Sequence, residues 1–132
     1  LSGMGFGIPA AVAAQLAHPD RAVMAIAGDG GMLMMAHDLV LIRELGLPII
    51  MVCLTDGSLS MIRVSQERRG FEPCGVDFQP PSFAAMAEAF GIHGQQVRSI
   101  EGVRTGLQRA LEQRRPILLE VHIDFREYYD LV

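Results

Sequence analysis

Two short acidic turns, Gly28-Asp29-Gly30-Gly31 and Thr55-Asp56-Gly57-Ser58, are where this 132-residue chain places groups able to do chemistry. Each follows an apolar run, Ala22 to Ala27 and Pro48 to Leu54 respectively. Glycines let the backbone turn sharply and bring N–H groups close to a ligand. A helix that starts at such a turn adds unpaired amides and the positive end of its dipole, which suits a phosphate. An acid inside an anion site makes sense when a cation lies between the acid and the phosphate. Magnesium fills that role, because it takes one or two carboxylates and completes an octahedron with phosphate and water oxygens. Two carboxylates at neighbouring strand ends can share one such ion. The plainer reading is that Gly-Asp-Gly and Asp-Gly are ordinary turn sequences, and on these residues alone both readings stand.

The rest of the composition narrows the chemistry. All 11 basic residues are Arg, so a Walker-type phosphate loop, a pyridoxal Schiff base and a Lys-assisted aspartyl-phosphate site are excluded. The net charge of −4, with acids and bases interspersed, gives no nucleic-acid footprint. The longest apolar run, Leu47 to Leu54, is too short to span a bilayer. Cys53 lies in an apolar strand and is expected as a buried, reduced thiol. Neither it nor Cys74 forms a metal-type cluster with His18, His37, His93 or His122. The first residues carry no signal-type stretch and do not begin with Met. The expectation is therefore a piece of a longer, cytosolic protein.

The elements that must position the two turns alternate between helix and strand. Ile8 to Ala17 reads as an alanine-rich helix with Pro9 in its first turn. Ala22 to Ala27 and Pro48 to Leu54 read as strands buried on both faces. Met32 to Leu45 reads as one apolar helix closed by Gly46, and Leu59 to Arg69 as another stopped by Gly70. Phe71 to Pro81 has no periodicity and is expected as a loop. Ser82 and Ser99 read as N-caps of two further helices, with a short strand at Gln95 to Arg98 between them. Pro116 to Ile123 is a strong strand, and Asp124 to Val132 reads as a tail. This alternation implies a single α/β domain with a doubly wound parallel sheet and helices on both faces. Ligands in such sheets bind outside the carboxyl ends of the strands, where both acidic turns lie.

Gly28-Asp29-Gly30, with Asp56 in the following acidic turn, resembles the thiamin-diphosphate motif: Gly-Asp-Gly and, some way on, an Asn or Asp ligand. Ser2-Gly3-Met4-Gly5-Phe6-Gly7-Ile8-Pro9-Ala10-Ala11 resembles the stretch before that family's first helix. Ser58-Leu59-Ser60-Met61-Ile62 and Pro81 to Gly91 also match its layout. The similarity covers essentially the whole chain. It is greatest to the C-terminal cofactor domain of acetolactate synthases and their 2-oxo-acid-decarboxylating relatives.

The resemblance implies roles for particular residues. Asp29 and Asp56 become Mg²⁺ ligands through their side chains and Ser58 through its backbone carbonyl. Amides of Gly30 and Gly31, with those near Leu59, Ser60 and Met61, hold the diphosphate that follows Gly28. Met4 props thiamin diphosphate into its bent shape, and Ser2 and Gly3 lie near the aminopyrimidine. Packing alone is the plainer reading of Met4. No catalytic side chain is expected in the chain itself. The activating glutamate sits on a pyrimidine-binding domain of a second subunit, so the full-length protein is expected as a homodimer or homotetramer. Residues 1–132 are then the cofactor domain without its first elements, and inactive alone.

The implied reaction is decarboxylation of a 2-oxo acid, pyruvate for example, and carboligation to a second 2-oxo acid. Two features depart from the pattern. Asp56 stands where most relatives have Asn, which keeps a hard oxygen ligand. Ile62, Arg63, Val64 and Ser65 occupy the helix where branched-chain synthases place a Trp, which this chain lacks entirely. Three other readings remain: a decarboxylase or aldehyde lyase of the benzoylformate decarboxylase type, a non-catalytic assembly or regulatory domain, and a Rossmann dinucleotide domain. The last is weakest, because no strand precedes Gly3, Gly5 and Gly7.

Overall fold

Three apolar runs and one polar segment pair into one parallel sheet in a computed structural model that describes residues 3–131, and side chains through residue 129. The strands are β1 (Val23–Gly28), β2 (Ile49–Thr55), β3 (His93–Val97) and β4 (Ile117–His122), in the spatial order β1-β2-β4-β3. All three pairings are parallel, as the alternation of elements requires.

The helices take both faces of the sheet. On one, α1 (Gly7–Ala17), α2 (Asp29–Met34), α3 (Asp38–Glu44) and α5 (Phe83–Ala89) deliver Ile8, Val12, Met32, Leu39, Ile42, Phe83 and Ala87 against Ile49, Met51, Cys53 and Leu118. On the other, α6 (Ile100–Gln113) packs Val103, Leu107 and Ala110 over Ile50, Val52, Ile117 and Leu119. Helix α4 (Ser60–Arg68) follows the second acidic turn and buries Val64. Ser82 and Ser99 cap α5 and α6 by accepting from the amides of Ala85 and Gly102. A 3-10 turn at Phe125–Glu127 and a short helix α7 (Tyr128–Leu131) follow β4.

Four expectations are corrected. Strand β1 is not buried on both faces, since Met24 and Ile26 are 50% and 57% exposed. In register they sit beside Ile50 and Val52, on the face that α6 covers. That cover does not reach β1, an edge strand among the described residues. The expected helix Met32 to Leu45 is broken at Met35 to His37 into α2 and α3. The break lets α2 begin at Asp29 itself. Asp38 then opens α3 with an acid in its first turn, where the dipole favours one. The short strand begins at His93 rather than Gln95, and the tail is partly helical. Cys53 is buried and reduced, as expected, and Cys74 is free and exposed. Burial, then the charges of Asp29 and Glu120, push the Cys53 thiol well above its ordinary range, so it is not a nucleophile. No helix among the described residues is long and apolar enough to cross a membrane.

Glu120 is a buried acid that sequence reading passed over, at 3% exposure in the middle of β4. Its Oε2 accepts from the Ala84 amide at 2.8 Å and the Ser82 hydroxyl at 3.1 Å, while Gln96 Nε2 donates to Oε1 at 3.4 Å. The carboxylate thus ties β4 to the start of α5 and to β3. In the full-length protein, Glu120→Ala leaves buried donors unpaired, at about 1–3 kcal/mol for each. Glu120→Gln keeps an acceptor and is expected to lose much less. Amide hydrogen exchange across residues 82–90 is the measure, and equal protection in both variants would contradict this role.

Candidate functional site

Strands β1 and β2 end side by side, with Gly28 opposite Leu54 in register, so the two acidic turns meet at one end of the sheet. Asp29 is the first residue of α2 and only 5% exposed. Its Oδ1 accepts from the Gly30 amide at 2.7 Å. Its Oδ2 faces the other turn, with Gly57 N at 3.2 Å and Thr55 Oγ1 and Asp56 N each at 3.4 Å. The long bonds on Oδ2 leave it loosely held.

Asp56 is fixed from below. Its Oδ1 accepts from Ser58 N at 2.9 Å, an Asx turn, and its Oδ2 accepts from Ser60 Oγ at 2.8 Å. Gly57 between them has φ of +77°, a conformation that favours glycine. Neither acid has a salt-bridge partner among the described residues.

Three further segments close around the turns. The loop after α4 buttresses the second one, with Leu59 N donating to Val76 O at 2.8 Å, Phe78 N to Gly57 O at 3.2 Å and Ser58 Oγ to Val76 O at 3.2 Å. The segment before α1 brings Met4 over Gly30. A Cβ on Gly30 would lie 2.9 Å from Met4 Cε and 2.7 Å from Leu59 Cδ2, so glycine permits this approach. The third is the C-terminal segment, which carries Tyr128 to the rim.

The result is a cavity of about 310 Å³, bordered by Gly3, Met4, Gly28, Asp29, Gly30, Gly31, Asp56, Ser58, Leu59, Ser60 and Met61. Every site residue expected from the sequence and described in the structure therefore borders one space; Ser2 lies outside the described residues. Phe6, Ile26, Leu54 and Tyr128 add apolar wall that sequence reading did not assign to a site, and Ile62, singled out on the helix after the second acidic turn, joins them. For Tyr128 the local signal goes no further than the turn before it, where Asp124 caps the 3-10 turn by accepting from Arg126 N.

The chain matches the C-terminal TPP-binding domain of thiamine pyrophosphate enzymes over residues 1–121. It belongs to that family. Its relatives include the acetolactate synthase isozyme 2 large subunit of Escherichia coli K12, 39% identical over 94% of this chain and 23% of that protein. A putative thiamine pyrophosphate-containing protein, YdaP, of Bacillus subtilis 168 is 35% identical over 93% of this chain and 21% of its own length. A probable acetolactate synthase large subunit of Methanococcus aeolicus is 34% identical over 94% of this chain and 21% of its own. The chain thus spans under a quarter of the length of these relatives.

The cavity suits thiamine pyrophosphate (thiamin diphosphate). Asp29 is a buried carboxylate without a counter-charge, and Asp56 presents a second beside it. No group of three or more His, Cys, Asp or Glu side chains suited to a metal occurs among the described residues. A cation held here would take two carboxylates and would need its other oxygens from diphosphate, water and backbone, a set that suits magnesium. Two amides at the turns are spoken for, since Leu59 N donates to Val76 O and Gly30 N to Asp29 Oδ1. Those of Ser60 and Met61 open α4 and have no intrahelical acceptor, and Gly31 stands likewise in the first turn of α2.

Proposed function

We propose that this chain is the cofactor-binding part of an acetolactate-synthase-like enzyme, which decarboxylates a 2-oxo acid such as pyruvate and joins the remaining acyl unit to a second 2-oxo acid. The observation that carries the reading is the meeting of two uncompensated acids, Asp29 and Asp56, in one apolar-walled cavity, within a family whose relatives include named acetolactate synthases. Asp29 and Asp56 hold Mg²⁺ through their carboxylates and Ser58 through its carbonyl. Amides of Gly31, Ser60 and Met61 hold the diphosphate that spans the turns from Gly28 to Leu59, while that of Gly30 donates to Asp29 Oδ1 and braces the carboxylate. Met4 supports the bend of the cofactor, with Gly3 and Ser2 beside its pyrimidine. The cofactor supplies the carbon nucleophile when bound, and these residues orient it.

The full-length protein adds a pyrimidine-binding domain, contributed with its glutamate by a second subunit in a homodimer or homotetramer. The open face of β1 and exposed Leu33, Met34 and Val40 are apolar surface that such neighbours can cover.

The test is competition between pyruvate and 2-oxobutyrate as acceptors in the full-length protein, with both acetohydroxy acids quantified. The helix wall of the cavity is aliphatic, Met61 and Ile62. An added methylene is worth about 0.8 kcal/mol, about fourfold, when a fitted wall receives it. Both products are therefore expected, in amounts within about fourfold of each other. Carbon dioxide without either acetohydroxy acid would replace this reading with that of a decarboxylase or lyase.

A further inference from the structure

The C-terminal segment is fastened to α4, which is why Tyr128 borders the cavity. Arg68 donates to the Tyr129 carbonyl at 2.9 Å, and the Tyr129 hydroxyl donates to Glu67. Arg63 lies over the Phe125 ring at 5.3 Å, and Phe125 packs against Tyr129 with ring centroids 6.4 Å apart. At its other end, Ile123 N donates to Thr55 O at 3.1 Å, beside the second acidic turn. Tyr128 thus stands on backbone anchored at both sides. Its ring is half-buried and shares the cavity with Met61 and Ile62 of α4.

These walls respond differently to a longer substrate. Met61 is flexible and exposed, and yields to an added methylene. A tyrosine ring has few rotamers, and on a fixed backbone it does not step aside.

We propose that Tyr128 sets the upper limit on the length of the 2-oxo acid side chain that the cavity accepts. The proposal rests on the reading that the cavity handles 2-oxo acids, but not on whether carboligation follows decarboxylation. Tyr128 acts by bulk; its hydroxyl is not required.

Carbon dioxide release from pyruvate, 2-oxobutyrate and 2-oxovalerate, measured as kcat/KM in the full-length protein, tests this. In Tyr128→Ala the profile is expected to move toward the longer acids by about fourfold for each added methylene. Tyr128→Phe is expected to keep the wild-type profile. Calorimetry of thiamin diphosphate with Mg²⁺ is expected to show cofactor binding retained in both variants. A Tyr128→Ala profile that is unchanged, or shifted toward pyruvate, with cofactor still bound, overturns the proposal. So does a Tyr128→Phe variant that behaves like Tyr128→Ala, because the hydroxyl would then be the selecting group. A shifted profile without any acetohydroxy acid keeps the role of Tyr128 and removes the carboligation reading alone. A wild-type protein that releases carbon dioxide from none of the three acids overturns both.

Discussion

Gly94→Ala in the full-length protein is expected to unseat β3 from α5. The added Cβ would lie 2.1 Å from the Ala84 carbonyl oxygen and 2.7 Å from Ala84 C and Cα. These are backbone atoms in the first turn of α5, so no rotamer change relieves the clash. Ala84 is itself held, since its amide donates to the buried Glu120. Either β3 moves away from the helix or α5 slides, and each breaks the link from Gln96 to Ser82 and Glu120. Overpacking a well-filled site costs about 1–3 kcal/mol, and a backbone contact this short belongs at or above the upper end. Hydrogen exchange across residues 82–97 is expected to rise sharply, while the protection of β1 and β2 falls little. Unchanged exchange in that window would show that α5 and β3 are not packed as described.

The same pair of elements shows what the sequence makes legible. Ser82 and Ser99 announce their helices because a hydroxyl N-cap is a local device, satisfied within a few residues of itself. The parallel sheet follows from apolar runs that alternate with helical spacing, again a local pattern. Glu120 is different. In the sequence it is one acid in an apolar strand, and its partners Ser82, Ala84 and Gln96 are brought to it only by the fold. Exposure of β1 is equally invisible, because Ala22 to Ala27 carries no mark of whether α6 reaches over it.

The candidate site divides along the same line. Asp29 and Asp56 were visible because an acid stands next to glycine after each strand, and strand ends are where parallel sheets bind ligands. The break between α2 and α3 was missed. Helical propensity runs through Met35 and Ala36, and what stops the helix is tertiary. Gly5 packs there, so that a Cβ on it would meet Met35 Cγ at 3.1 Å. Tyr128 was missed because its place depends on contacts made by Glu67 and Arg68, far away in the chain.

Asp29→Ala is expected to abolish retention of thiamin diphosphate by the full-length protein. The substitution removes both carboxylate oxygens at the residue that links the turns, and so the acceptor for Gly30 N, Gly57 N and Thr55 Oγ1. Loss of a group that merely orients a metal ligand costs about 10–100-fold in affinity, so loss of the ligand itself is expected to exceed 100-fold. Opposing terms act on the fold. The protein gives up one short hydrogen bond at 2.7 Å and weaker ones at 3.2–3.4 Å, but it is also relieved of a buried carboxylate that has no counter-charge. These offset, and the sheet is expected to persist. Asp56→Asn separates charge from geometry, because it keeps an oxygen for the cation and an acceptor for Ser58 N or Ser60 Oγ. Its loss of affinity is therefore expected to be much smaller than that of Asp29→Ala. Calorimetric titration with thiamin diphosphate, with and without Mg²⁺, reads all three proteins, and hydrogen exchange over β1 and β2 reports whether the fold survives. Wild-type affinity that needs no metal, or an Asp29→Ala protein that binds as tightly as the wild type, would remove the two acids from the cofactor site. A variant that loses both cofactor and strand protection would assign Asp29 to the fold instead of to the cation.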